Sequence, residues 1–445
     1  METSRLGVPK KTCKAILTTD MDNKQIIKTL NEHNHGLNQQ KAESQQHRIR
    51  VRKASGGITE RPSKIILLLC DGFRWDYLDS NGKDLKGFKR LLNEGVKADY
   101  LEPVFPSLSY PNYYSLMTGL YCEDHGMVGN YMYSEERGER FDMMANPECR
   151  NSHWWEDAEP FWITAVKQGK KTYMFEWSGG EFPHKGFSST YSIPVDGENW
   201  PMFPEMKRNI QKSLDMFKSD EIDMAGVFVW EIDKWGHDID TKSDEFNQKL
   251  VEFDTAIDSL LDQLEQQSLR DKVNIVIFSD HGMKDISPER TVDISHILNT
   301  TDVKIFTDRG HMCNIWPHDH KLEKVYSDLK KLNNDHITIY RKDELPERWC
   351  YKHHKLVPPI TVVAESGWFI LTPEYPSVTS RGWHGFDNVE KDMRGIFLAT
   401  GPDIKKNEKV GPMKAVDVYQ VLCKLLHVKP LPHKGEWNRV QDIFL

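Results

Sequence analysis

The 445-residue chain has few cysteines, and the seven it has (Cys13, Cys70, Cys122, Cys149, Cys313, Cys350 and Cys423) are widely dispersed. There is no CxxC pair, and an odd, scattered set is not a disulfide framework. Such usage suits a reducing compartment, or a secreted enzyme with at most a few bridges. No apolar run approaches the roughly 20 residues needed to span a bilayer. The N-terminus METSRLGVPKKTCKAILTTD lacks the apolar stretch of a secretory leader. The C-terminus GEWNRVQDIFL lacks the hydrophobic tail of a lipid-anchor signal. Positive charge is also not in excess: 59 Lys and Arg stand against 67 Asp and Glu, for a net charge of −8. That balance gives no general electrostatic case for nucleic-acid binding. Internal repeats are absent. What is present is aromatic wealth, 13 Trp and 15 Tyr, and enough length for one large α/β domain or two smaller ones.

The first 62 residues differ in texture from the rest. They are polar and end in QQKAESQQHRIRVRKASGGITERPSK, a basic linker over residues 37–62. Within residues 1–36, CKAILTTDMDNKQIIKTLNEHNH offers Cys13, His33 and His35 as three zinc-type donors. This stretch resembles the second half of a FLYWCH-type zinc finger. A finger short of a ligand binds zinc poorly, and a small zinc module without metal is usually unfolded. The expectation is a truncated remnant and linker, a largely disordered N-terminal extension, before a body at residues 63–445.

In the body, apolar runs alternate with amphipathic segments. KIILLLC, MAGVFVWEID, KVNIVIFSDHG and MRGIFLATGP read as buried strands. GFKRLLNEG, SDEFNQKLVEFDTAIDSLLDQLEQQ and AVDVYQVLCKLLHV read as helices, the long one starting near a Ser/Asp cap. The alternation predicts an α/β fold with a mostly parallel central sheet and helices on both faces.

Three of the strands end in metal-type ligands, at the position where open α/β sheets place their sites. LLLCDGFRWDY gives Asp71, WEIDKWGH gives Asp233 and His237, and FSDHGM gives Asp280 and His281. A Gly-flanked segment, SRGWHGFDN, adds His384. Mixed Asp and His donors suit zinc better than magnesium or calcium. Six are enough for two zinc ions with three protein ligands each, which leaves open positions for a two-metal phosphoryl displacement. That chemistry needs a hydroxyl nucleophile. FPSLSYPNYYSLMTG offers Ser107 and Ser109 just before a short helix ended by Gly119. A serine there can be a helix cap, a nucleophile or both, and a helix N-terminus favours anions.

From about Lys64 onward the motifs DGFRWDY, FPSLSYPNYYSLMTG, GMVGNYM, IDKWGH, FSDHGM and RGWHGFDN resemble, in order, the ecto-nucleotide pyrophosphatase/phosphodiesterase family of the alkaline phosphatase superfamily. The resemblance implies that Ser109, rather than Ser107, is the nucleophile, capping its helix as well as attacking phosphorus. It implies one zinc held by Asp233, His237 and His384, and a second by Asp71, Asp280 and His281 that also meets Ser109. Asn130 would donate to a phosphate oxygen, and hydrolysis would pass through a phosphoserine-type intermediate.

Serine in the nucleophile position is similar to the choline-specific branch of the family, its sixth member. That implies glycerophosphocholine or a lysolipid phosphodiester as substrate. A choline pocket needs an aromatic cage and a carboxylate, for which Trp177, Trp200, Phe228, Trp230, Glu231 and Asp196 are the residue types available. The alternatives are a nucleotide pyrophosphatase/phosphodiesterase, a sphingomyelin-cleaving enzyme, or a non-catalytic binding protein built on the finger-like segment. The family implies an extracellular or cell-surface location, whereas membrane association is not encoded in this chain.

Overall fold

The computed structural model describes residues 63–79, 85–143, 145–196 and 199–445. The finger-like segment 1–36, with Cys13, His33 and His35, and the linker 37–62 lie outside the described residues.

Every apolar run named above is a buried strand. In chain order the strands that matter are β1 (Lys64–Cys70), β2 (Gly95–Ala98), β3 (Thr172–Phe175), β4 (Tyr191–Ile193), β5 (Met224–Val229) and β6 (Val273–Phe278). They continue with β7 (Val303–Thr307), β8 (Met312–Pro317), β9 (Ile337–Arg341), β10 (Ile360–Ala364), β11 (Phe397–Thr400) and β12 (Glu408–Val410). The central sheet runs β12-β2-β11-β6-β1-β5-β3-β4. It is parallel except at β11, which is antiparallel to β6 and β2. The reversal follows from the route of the chain. Residues 279–396 leave from the end of β6 and re-enter beside it, so the start of β11 pairs with the end of β6 (Phe397 opposite Phe278).

Strand β1 shows why both faces must be covered. Its side chains alternate across the sheet. Ile65, Leu67 and Leu69 join one core with helices α2 (Ser109–Thr118), α3 (Phe161–Lys167) and α7 (Val418–Leu425). Ile66, Leu68 and Cys70 join another with α1 (Lys86–Asn93), α4 (Phe203–Lys218) and α6 (Asp244–Gln266). A run of consecutive apolar residues, here Ile65–Cys70, is therefore what a doubly covered strand requires. Helix α6 starts as the sequence predicts, with the Ser243 hydroxyl accepting from the Phe246 N–H at 3.1 Å.

The excursion 279–396 contains what the sequence did not announce, a second, antiparallel sheet in the order β7-β8-β10-β9 with its own apolar cluster. Among the described residues, Cys70, Cys122, Cys313, Cys350 and Cys423 are free thiols. No helix among the described residues is long and apolar enough to cross a membrane.

Candidate active site

Strands β6, β1 and β5 are adjacent and parallel, with Leu69 opposite Phe278 and Cys70 opposite Val229. Their C-terminal ends therefore deliver their loops to one place. Asp71 follows β1, Asp280 and His281 follow β6, and Asp233 and His237 lie on helix α5 (Glu231–Asp238), which starts just beyond β5. One turn of that helix separates Asp233 from His237, so the two share a face, Oδ2 to Nε2 3.4 Å. His384 arrives from the excursion, where Lys284 pairs with Trp383 across a short antiparallel ladder. Gly72 lets the β1 loop lie against α5. Its φ is +65°, and a Cβ there would stand 2.8 Å from Asp233.

All six predicted ligands are thus brought together. Asp71, Asp280 and His281 form one compact triad, with Nε2 of His281 3.4 Å from Asp71 Oδ1 and 3.1 Å from Asp280 Oδ2. Asp233, His281 and His384 form another, and His237 joins it through Asp233. His384 Nε2 is 3.7 Å from Asp233 Oδ1, and its ring stacks on His281 at 3.6 Å.

Two features fit a metal. Each imidazole has its Nδ1 against a backbone carbonyl: His237 on Gly382 at 2.8 Å, His281 on Gly282 at 2.8 Å and His384 on Ser107 at 3.1 Å. An Nδ1–H donated outward leaves each Nε2 as a lone-pair donor facing inward, the usual support of a histidine ligand. The carboxylates show the complementary pattern. Gly72 N–H donates to Asp280 Oδ1 at 3.2 Å, Trp230 Nε1–H to Asp233 Oδ2 at 3.0 Å, and the Tyr113 hydroxyl to Asp71 Oδ2. The other oxygen of each, Asp71 Oδ1, Asp233 Oδ1 and Asp280 Oδ2, is buried without a hydrogen bond. Buried carboxylate oxygens in that state call for a cation. Burial, then repulsion from Asp280 and Asp233, holds the Asp71 carboxyl well above its ordinary range.

Ser109 faces the same pocket, its Oγ 3.3 Å from His281 Nε2. It does not cap its helix. Leu108 is the N-cap, with an extended backbone, and Ser109 is the first helical residue. The side chain that serves the helix end is Asn130, whose Oδ1 accepts from the Tyr110 N–H at 3.0 Å. This bond fixes the Asn130 amide so that its NH₂ group is left as the donor. Ser107 contributes only its carbonyl, to His384.

Behind Asn130 stands Asp308, which sequence reasoning missed. Its Oδ1 accepts the N–H groups of Asn130 and Tyr131 at 3.2 Å each, and burial pushes its carboxyl up to about 7. Arg309 and His311 also line the pocket. Both sit on the β7–β8 connection of the unannounced sheet, where no local motif distinguishes them. The supporting roles of Tyr113 and Trp230 were equally silent, because a donor to a carboxylate has no sequence signature.

The aromatic-cage residues are dispersed. Only Trp200 and Trp230 line the pocket. Trp177 and Phe228 are fully buried in the core. Glu231 accepts from the Phe203 N–H at 2.7 Å and faces Lys249 at 3.3 Å. Asp196 is exposed and bonded to Asn199 at 2.8 Å.

A doubly covered sheet with Asp and His gathered at its strand ends, beside a serine on a helix N-terminus, defines a hydrolase built for metal-assisted chemistry at an ester of phosphate. Residues 65–387 match the family described as type I phosphodiesterase / nucleotide pyrophosphatase, and the chain belongs to that family. It is 33% identical over 382 residues to human ectonucleotide pyrophosphatase/phosphodiesterase family member 5, covering 85% of this chain and 78% of the relative. It is 30% identical over 388 residues to murine family member 7, covering 86% and 87%. It is 32% identical over 375 residues to a bis(5'-adenosyl)-triphosphatase of Xenopus laevis, covering 84% and 79%. The solved structure of human member 5 superposes with a TM-score of 0.80 at 32% identity, covering 86% of this chain and all of that one. An inactive variant of murine member 5 has been solved in complex with AMP, with a TM-score of 0.79. None of these relatives is the choline-specific sixth member, and the comparisons give no support to the zinc-finger resemblance of residues 1–36.

Proposed function

We propose that this chain hydrolyses nucleotide phosphodiesters and pyrophosphates by a two-step displacement at phosphorus, with Ser109 as nucleophile. The observation that carries the reading is the Ser109 hydroxyl beside His281, at a helix N-terminus and against two triads of buried Asp and His. Asp71, Asp280 and His281 would hold one divalent metal and Asp233, His237 and His384 the other, with zinc favoured by the donor set. Such a pair, when bound, lowers the pKa of a coordinated hydroxyl or water and neutralises charge developing on the phosphoryl oxygens.

The rest is the work of the chain. Ser109 Oγ forms a bond to phosphorus, the bond to the leaving oxygen breaks, and the serine proton ends on that oxygen. Water then attacks phosphorus in the serine-linked phosphodiester, the Oγ–P bond breaks as a proton returns to Oγ, and a phosphomonoester leaves. The Asn130 amide, its carbonyl occupied by Tyr110, is oriented to donate to a phosphoryl oxygen as charge builds. Asp308 holds the Asn130 loop in place.

The nucleotide reading is preferred to the choline one on two grounds. Four of the six cage candidates, both carboxylates among them, lie outside the pocket, and a guanidinium, Arg309, lines it. Relatives named for adenosine polyphosphates, and one solved with AMP, point the same way. The relatives' ectonucleotide names support action outside the cell.

The test compares p-nitrophenyl thymidine 5'-phosphate with glycerophosphocholine, in zinc, for wild type and Ser109→Ala. The expected result is turnover of the nucleotide ester that falls by at least about 10³-fold in the variant, as when a covalent nucleophile is removed. Activity surviving in Ser109→Ala removes the nucleophile from the proposal, and selective cleavage of glycerophosphocholine reverses the choice of substrate.

A further inference from the structure

Among the described residues, Arg309 is the one Lys or Arg that lines the pocket, and its surroundings are unusual for an arginine. Among the described residues it forms no ion pair, and its guanidinium donates no hydrogen bond. Three aromatic rings hold it instead: Tyr375 at 4.2 Å, Tyr131 at 5.2 Å and Trp383 at 5.9 Å from its charge centre. Stacking of this kind fixes the plane of the group and leaves its N–H donors uncommitted. Its chain neighbour Asp308 interacts with its charge but forms no ion pair with it. That carboxylate is engaged by the N–H groups of Asn130 and Tyr131, at 3.2 Å each, and by Asn314 Nδ2 at 3.2 Å.

The same latch sets the position of Arg309. By holding residues 130 and 131, Asp308 ties the Asn130 loop to the end of β7, so Arg309 is presented on the pocket wall beside Asn130. Tyr131, the residue after Asn130, is also one of the three rings beneath the guanidinium. His311, two residues further on, lines the pocket with a buried Nε2 that has no partner. Trp383 donates to its Nδ1 at 3.3 Å, so Nε2 is the nitrogen that carries hydrogen.

We propose that Arg309 is a specificity-determining residue that binds a second anionic group of the substrate, a phosphate adjoining the scissile one. A planar fork of donors matches a phosphate in bidentate fashion. Substrates with an anionic phosphate chain are then preferred over esters whose leaving group is neutral or cationic. This inference rests on the phosphodiesterase reading of the same pocket.

The test measures kcat and KM for ATP and for p-nitrophenyl thymidine 5'-phosphate, whose leaving group adds no phosphate, in wild type, Arg309→Gln and Arg309→Lys. Binding of ATP and of AMP to the Ser109→Ala background, with and without Arg309→Gln, gives a readout free of turnover. The expected result is a ratio of kcat/KM, ATP over the nitrophenyl ester, that falls by about 10- to 100-fold in Arg309→Gln, the range of a charged hydrogen-bonded contact. The fall should lie mainly in KM and be partly restored in Arg309→Lys. ATP binding should weaken by a similar factor and AMP binding by much less.

A ratio unchanged in Arg309→Gln, or equal losses on both substrates, overturns the inference while leaving the phosphodiesterase reading intact. Wild type inactive on both substrates overturns that reading, and the inference with it. Poor folding of Arg309→Gln would show as reduced soluble yield. In that case Arg309→Lys, which keeps the charge and loses the planar fork, decides the matter through the same ratio and binding measurements.

Discussion

The two hydrogen bonds that support the carboxylates from outside, Trp230 to Asp233 and Tyr113 to Asp71, should separate the two metal sites experimentally. Trp230→Phe deletes the N–H that meets Asp233 Oδ2 at 3.0 Å and keeps an aromatic ring in place. Tyr113→Phe deletes the hydroxyl that meets Asp71 Oδ2. A hydrogen bond to a charged group contributes about 1.5–3 kcal/mol, and at about 1.4 kcal/mol per factor of ten this is 10-fold to somewhat over 100-fold in affinity. Supporting partners of metal ligands carry effects of about 10- to 100-fold, so the two routes agree. Each substitution touches a carboxylate of a different triad. Trp230→Phe should therefore weaken one of two zinc equivalents, and Tyr113→Phe the other. Competition with a chelator of known affinity resolves the two binding steps, and the double variant should lose in both. If both substitutions weaken the same step, the division of the six ligands into two sites is wrong. If neither weakens any step by more than about threefold, well below the expected range, the orphaned carboxylate oxygens are not metal ligands.

Other expectations lie away from the metal cluster. Burial raises the Glu181 carboxyl from 4.5 to about 7, opposed by its backbone hydrogen bond and by Arg150 at 3.5 Å. A raised acid contributes stability that is present below pH 4.5 and lost as pH rises through 7, here about 3 kcal/mol. Glu181→Gln should thus gain stability relative to wild type between pH 5 and pH 8, read as the difference in Tm at the two values; parallel curves would refute the assignment. Arg439 grips the fully buried Asp417 through Nε at 2.7 Å and Nη2 at 2.8 Å. Arg439→Met leaves that charge with only the N–H groups of Lys414 and Glu436. It should cost about 3–5 kcal/mol in denaturant unfolding, with kcat unaltered at 25 °C.

The legible part of this molecule was the part that repeats a local rule. Apart from Lys64 and Asn274, β1, β5 and β6 are apolar throughout because both faces are covered, and each is followed by an acid in the loop or helix beyond it. Those two facts together located Asp71, Asp233 and Asp280. The helix of Ser109 was also visible, down to its stop at Gly119, whose φ is +69°. The cap was misread for a physical reason. An N-terminal serine is a strong local signal, but here the orphan N–H of Tyr110 is met by Asn130, a residue from another segment. Long-range satisfaction of a helix end leaves nothing in the local pattern.

The choline expectation finds no support among the relatives, and its proposed cage is dispersed for a related reason. Tryptophan, phenylalanine and glutamate are the right types for a cage, but type does not fix direction. Phe228 and Glu231 are separated by two residues across the end of β5 and the start of α5. Phe228 points into the core under Tyr113 and Trp200, with ring centroids 5.6 and 6.0 Å away. Glu231 turns to the first N–H of α4 and to Lys249. Neither can face a ligand without abandoning a buried contact. The pocket wall is completed instead from the second sheet, by Asp308, Arg309 and His311, and that choice sets its charge. Asp308 directs its carboxylate to the N–H groups of Asn130 and Tyr131 and to Asn314, and it forms no ion pair with Arg309. A quaternary ammonium beside an unpaired guanidinium is repelled, whereas a phosphate chain is attracted. On the proposed reading, head-group preference would follow from which segment closes the pocket, a tertiary feature that the nucleophile's identity as serine does not carry.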